Sequence, residues 1–128
     1  MVLADQIYTD AMTGKRVICG TFSHLGVEKI PGVFVRSTFA FILLSDIEGK
    51  FRLSLRFVHL KDNAVLLQSE PIEFTAMDRL GTTDLVIEVP PFPIVAEGYY
   101  SLECWVEEYL VGSVRLAVTD TTKRGKQS

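Results

Sequence analysis

The sequence predicts an all-β fold, a single antiparallel β-sandwich of seven to eight strands, and three observations carry that expectation. First, Phe51-Arg52-Leu53-Ser54-Leu55-Arg56-Phe57 alternates apolar and polar residues without a fault. Period two puts four apolar side chains on one face of a strand and Arg, Ser and Arg on the other. Second, turn-forming residues recur at regular intervals, at Thr13-Gly14-Lys15, Pro31-Gly32, Glu48-Gly49-Lys50, Lys61-Asp62-Asn63, Asp78–Gly81, Pro90–Pro93 and Glu97-Gly98. Strands of about 5–9 residues between such breaks are the pattern of a sandwich or barrel. Third, no window of the chain shows the 3.6-residue apolar period of a helix.

The strands follow in order. Val2–Tyr8 opens the chain, and within Asp5–Met12 the residues Ile7, Tyr8 and Thr9 favour strand over a helical turn. Arg16–Ser23 and Ser37–Ser45 follow, with Leu25 to Phe34 as an irregular crossing between sheets. Phe39–Leu44 is the longest apolar run and predicts a buried strand. Lys50–Leu60 holds the faultless alternation. Ala64–Phe74 is expected to break at Pro71, which cannot donate to a ladder. Thr83–Val89, Tyr99–Glu107 and Leu110–Thr119 complete the set. The domain is thus expected over residues 1–119, with 120–128 as a flexible tail that has no apolar anchor.

The last hairpin is the most informative segment. Gly98-Tyr99-Tyr100 opens it after a turn, and an immunoglobulin-like sandwich often places a Tyr here whose hydroxyl turns back onto the preceding connection. Tyr100 is the candidate. Alternation then points Tyr100, Leu102, Cys104 and Val106 inward and Tyr99, Ser101, Glu103, Trp105 and Glu107 outward. Gly98 and Phe22 are the accompanying structural positions.

Other features lie along most of the chain: Leu3-Ala4-Asp5, Val17–Phe22 with its Gly-x-Phe turn, Ile30-Pro31, Pro90–Ile94 and Gly98–Glu103. Their order resembles a family of short bacterial immunoglobulin-like β-sandwich proteins catalogued only as a domain of unknown function. The chain departs from it in having Ile30 where an aromatic residue often precedes the proline. The resemblance implies an immunoglobulin-like sandwich and brings no activity with it.

Composition narrows the function. The 128 residues are 48% hydrophobic and 23% charged, so one ordinary core can form. The net charge is −3 and the only basic cluster is Lys123-Arg124-Gly125-Lys126, which argues against nucleic acid. No stretch approaches the ~20 apolar residues of a membrane span. The first residues have no basic segment followed by an apolar run, and there are only two cysteines, Cys19 and Cys104. A cytoplasmic protein with reduced thiols is expected, Cys104 inward and Cys19 outward.

No motif carries catalysis. His24 and His59 are the only histidines, and no metal-ligand spacing or nucleophile elbow occurs. Glu103 and Glu107, four apart on a strand face, would stand about 13 Å from each other. That is too far for a glycosidase pair. No cofactor and no metal are expected. What stands out is Trp105, the single tryptophan, placed outward with Tyr99 and Glu103 and with Arg115 expected opposite it on the next strand. An outward aromatic beside an arginine can anchor a protein. The alternative is cover by the chain's own Pro90–Ile94 loop. The expected function is a non-enzymatic interaction or structural module acting on a protein partner or on itself. A carbohydrate or small-ligand binding module is the alternative, and an enzyme ranks behind both.

Overall fold

The structure, a computed structural model, describes residues 1–121. Residues 1–120 contain no helix and twelve strands. These are β1 (Val2–Thr9), β2 (Arg16–Thr21), β3 (His24–Val27), β4 (Gly32–Phe34), β5 (Phe39–Ser45), β6 (Gly49–His59), β7 (Ala64–Gln68), β8 (Ile72–Ala76), β9 (Thr82–Glu88), β10 (Phe92–Ile94), β11 (Gly98–Val106) and β12 (Tyr109–Asp120). One sheet has the order β2-β1-β5-β9. A larger one has the order β3-β12-β11-β6-β7, with β8 also on β6, and β10-β4 form a small third sheet.

The expected seven to eight strands become twelve for local reasons. The segment Leu25 to Phe34 is not an irregular crossing throughout. It holds β3, which pairs with β12, and β4, which pairs with β10. Strands of four and three residues are too short to show alternation. The β3–β12 pairing is parallel, so the sheet is not wholly antiparallel. Pro71 does break the Ala64–Phe74 run, and both halves pair with β6, β7 along Arg56–His59 and β8 along Gly49–Leu53. Strand β12 runs to Asp120, opposite Val27, and the Thr121 hydroxyl donates to the Val27 carbonyl. Residues 122–128, the rest of the expected tail, lie outside the described residues.

The two larger sheets share one core. Leu3, Ala40, Ile42, Leu44, Ile87 and Val89 come from the first sheet or its end. Leu53, Leu55, Phe57, Leu102, Cys104, Val106, Leu116 and Val118 come from the second. Phe22 packs against this cluster half-buried, its N–H donating to the Leu3 carbonyl at 3.2 Å. Tyr100 is fully buried and sits at the end of the core. Its hydroxyl donates to the Ala96 carbonyl at 2.6 Å and accepts from the N–H groups of Ala96 at 3.1 Å and Val95 at 3.2 Å. Its ring stacks between Phe57, centroids 5.0 Å apart, and His59, 4.8 Å away. Gly98 opens the strand at φ 135°, a conformation that costs an L side chain strain.

The outer face of the first sheet is also apolar. Val2, Phe41 and Val86 form one row across β1, β5 and β9. The cover comes from the β1–β2 hairpin. In a flat sheet, register would put Thr9, and Arg16 opposite it, nine residues along from the Leu43–Asp84 pair, about 30 Å at 3.3 Å per residue. Instead Arg16 Nε lies 2.8 Å from Asp84 Oδ2. The distal hairpin therefore doubles back over the outer face. Its bend falls where Gly20, at φ 72°, lies against Asp5, so close that a Cβ would come within 2.6 Å of Asp5 Oδ2. Ile7, Ile18, Cys19, Phe39, Phe41 and Val86 are half-buried yet stand outside the central core, as this second layer requires.

Two measurements check this packing. Tyr100→Phe removes the hydroxyl that partners three part-buried backbone groups and is expected to cost about 0.5–1.5 kcal/mol in urea unfolding. Both cysteines are free thiols. Burial pushes the Cys104 thiol up to about 11 from 9.0, against a smaller lowering by the chain's amino terminus. It should resist a thiol reagent at pH 8 that modifies Cys19. Because the folded value is the higher one, the Cys104 contribution to stability is complete below pH 9 and declines as pH rises toward 11.

Candidate functional site

Residues of β11 with odd numbers face away from the core, and β6 supplies their neighbours. Register sets Glu103 opposite Arg56 and Trp105 opposite Ser54. The Arg56 guanidinium lies over the Trp105 ring, 4.3 Å from its centroid. The indole N–H donates to Glu103 Oε1 at 3.1 Å. Trp105 is thus half-buried and held from two sides, by a cation on its face and a carboxylate at its edge. Arg56 forms no ion pair among the described residues, and its buried Nε has no hydrogen-bond partner.

The β11–β12 ladder slips by one residue between Cys104 and Trp105. This bulge brings Leu110, half exposed, opposite Trp105 and turns the strand tip. Arg56 also lines a cavity of about 250 Å³, together with Arg52, Ser54, Gln68, Glu107 and neighbours. The Arg52 N–H donates to Glu107 Oε1 at 2.9 Å, tying the β11–β12 turn to β6.

The four expected surface residues share this face without forming one cluster. Trp105 and Glu103 touch. Tyr99 is 61% exposed but six residues further along the strand, about 20 Å away. Arg115 is opposite Ser101, not Trp105, and so about 13 Å from the indole along the sheet. The arginine on the indole is Arg56, which the sequence marks only as a polar-face residue of the Phe51–Phe57 alternation. Nothing in the sequence says that β6 is the neighbour of β11. The Pro90–Ile94 segment is not the cover. Phe92 is buried against Phe57 and Phe34, with centroids 4.4 and 5.1 Å apart, at the Tyr100 end of the molecule.

The remaining reactive groups are dispersed. His59 is buried under Tyr100 with Nδ1 3.5 Å from Asp62 Oδ1. The His24 ring contacts the Thr119 hydroxyl at 3.0 Å. Among the described residues, no group of three His, Cys, Asp or Glu side chains could hold a metal ion, and no helix is long and apolar enough to cross a membrane.

Trp105 reports on its own surroundings because no other tryptophan is present. Arg56→Ala uncovers the indole face and is expected to shift its fluorescence emission to longer wavelength. The stability loss should stay near 1 kcal/mol, as for a half-exposed cation–π pair. An unchanged spectrum would mean that the guanidinium does not shield the ring.

No curated protein matches the sequence. Residues 1–119 match the family described as "Family of unknown function (DUF6941)". That match covers every strand but the last residue of β12, and the chain belongs to this family.

Proposed function

We propose that the chain is a non-enzymatic interaction module built as an immunoglobulin-like sandwich, and that it binds a protein partner through the outward face of β6, β11 and β12. The observation that carries this reading is the Arg56–Trp105–Glu103 arrangement. Trp and Arg are the residues that dominate binding hot spots, and here both are immobilised before any partner arrives. Leu110 beside the indole extends the apolar area. The immunoglobulin-like reading is supported by the tyrosine corner at the penultimate strand and by the shared core of the two larger sheets. Two free thiols fit a reducing, cytoplasmic setting.

A small-ligand module is the second reading, favoured by the cavity of about 250 Å³ that Arg56 shares with Arg52, Ser54 and Gln68 as polar lining. An enzymatic reading has no residue set to rest on. The histidines are engaged elsewhere, and the Cys104 thiol is held protonated by burial.

The test is Trp105→Ala. Capture of a partner from cell extract should weaken by at least about 2 kcal/mol, as hot-spot truncations do. Unfolding should shift by less than the 3–5 kcal/mol typical of emptying a fully buried aromatic site. Loss of stability on that larger scale, with capture unchanged, would make Trp105 a packing residue. Quenching of Trp105 by sugars or carboxylates, without any protein capture, would favour the small-ligand reading.

A further inference from the structure

The long edge of the first sheet is open. Among the described residues, strand β9 pairs only with β5. Val89 donates its N–H to the Thr38 carbonyl at 2.8 Å, on the β5 side. Period two then turns the N–H and C=O groups of Asp84, Val86 and Glu88 toward the free side. Natural edges are usually shortened, bulged, interrupted by proline or guarded by lysine. The other edges have such features: β3 has four residues, the outer edge of β6 is split at Pro71, and β2 carries the left-handed Gly20 one residue before its end. The seven residues of β9, Thr82–Glu88, contain no proline, lysine or bulge.

Beside this edge lies a groove of about 340 Å³ between the two larger sheets. Its apolar lining is Leu53, Ile72, Phe74, Leu85 and Ile87, and its charged lining is Glu73 and Glu88. We propose that the β9 edge takes up an extended peptide segment of another protein as an added strand. The segment's alternate apolar side chains enter the groove, and its outward positions carry lysine or arginine toward Glu88. Backbone pairing of this kind supplies affinity, and the pocket between sheets supplies selectivity for side chains.

Charge decides between the possible occupants. Glu88, on the outer phase of β9, has no ion pair among the described residues. A second copy is disfavoured. Any two-fold pairing of β9 with itself across Val86 brings Asp84 or Glu88 of one copy opposite or diagonal to a carboxylate of the other. Arg16, 2.8 Å from Asp84, offsets one carboxylate of each such pair and leaves the other unmatched. This surface is separate from the Trp105 face, and its test does not depend on that reading.

The probe is a synthetic heptapeptide alternating lysine and valine, with a glutamate–valine peptide as control. The lysine peptide is expected to bind saturably and to slow hydrogen exchange at Asp84, Val86 and Glu88. Val86→Pro removes one free-side N–H without touching the β5 ladder, and should weaken binding at least tenfold with the charge unchanged. Glu88→Lys leaves the backbone edge intact, so it tests the idea even if the proline variant is unstable. It should weaken the lysine peptide and strengthen the glutamate one. No binding of the lysine peptide, or equal binding to wild type and a folded Val86→Pro variant, overturns the proposal. Insensitivity to Glu88→Lys does so as well. A wild-type dimer that dissociates on Val86→Pro would assign the edge to a second copy instead.

Discussion

The Tyr100 corner is the constraint from which the rest of the second sheet follows. Its hydroxyl meets one carbonyl and two N–H groups of residues 95 and 96, so the chain entering β11 has one direction. Its ring, fixed between Phe57 and His59, sets the phase of the strand. A side-chain period of two leaves no freedom after that. Leu102, Cys104 and Val106 follow Tyr100 into the core, and Glu103 and Trp105 are turned out. A slip of one residue would bury a carboxylate and expose Tyr100, at a cost of several kcal/mol for the unpaired charge alone. The outward placement of the only tryptophan is therefore a consequence of the corner, five residues and about 16 Å away along the strand.

Strand β6 is the second element that both sides of the molecule share. Its even residues form the floor around Trp105, and its odd residues, from Leu53 to Phe57, belong to the core and the groove. Its outer edge changes partner from β8 to β7 where Pro71 interrupts the ladder. Ser69 bridges part of the gap. Its Oγ accepts the Leu55 N–H at 2.8 Å and its own N–H donates to the Leu55 carbonyl at 2.9 Å. A hydroxyl here stands in for a ladder carbonyl, which keeps a buried donor satisfied at the break.

What could be read from the sequence followed from local rules. The alternation of Phe51–Phe57, the break at Pro71 and the Gly98-Tyr99-Tyr100 start all state their geometry within a few residues. Arg56 over Trp105, Arg115 opposite Ser101 and β3 beside β12 depend on which strands become neighbours, and single-strand patterns carry no such information. Phe39–Leu44 lies between these cases. A run apolar at every position announces a strand covered on both faces. The sequence could not say that its second cover is a hairpin bent back at Asp5 and Gly20. That cover is revealed only by an ion pair between Arg16 and Asp84, 68 positions apart.

The doubled-back hairpin bears on how an open edge at β9 can coexist with an orderly sheet. An edge strand is dangerous when it is flat, apolar on its outer face and free to slide. The arm removes two of these conditions for β9. It covers Phe41 and Val86, so the outer face offers little to a second sheet. Arg16 on Asp84, with both side chains about 34–41% exposed, adds only a modest tether, in the range of 0–1 kcal/mol for surface pairs. The larger contribution is expected from burial of Ile7, Ile18, Phe39 and Phe41, all of them half-buried. The backbone edge itself stays uncovered among the described residues, flanked by carboxylates and bordered by an apolar groove. A strand so arranged discriminates against copies of its own acidic kind while keeping its hydrogen-bonding groups available to a chain of opposite charge.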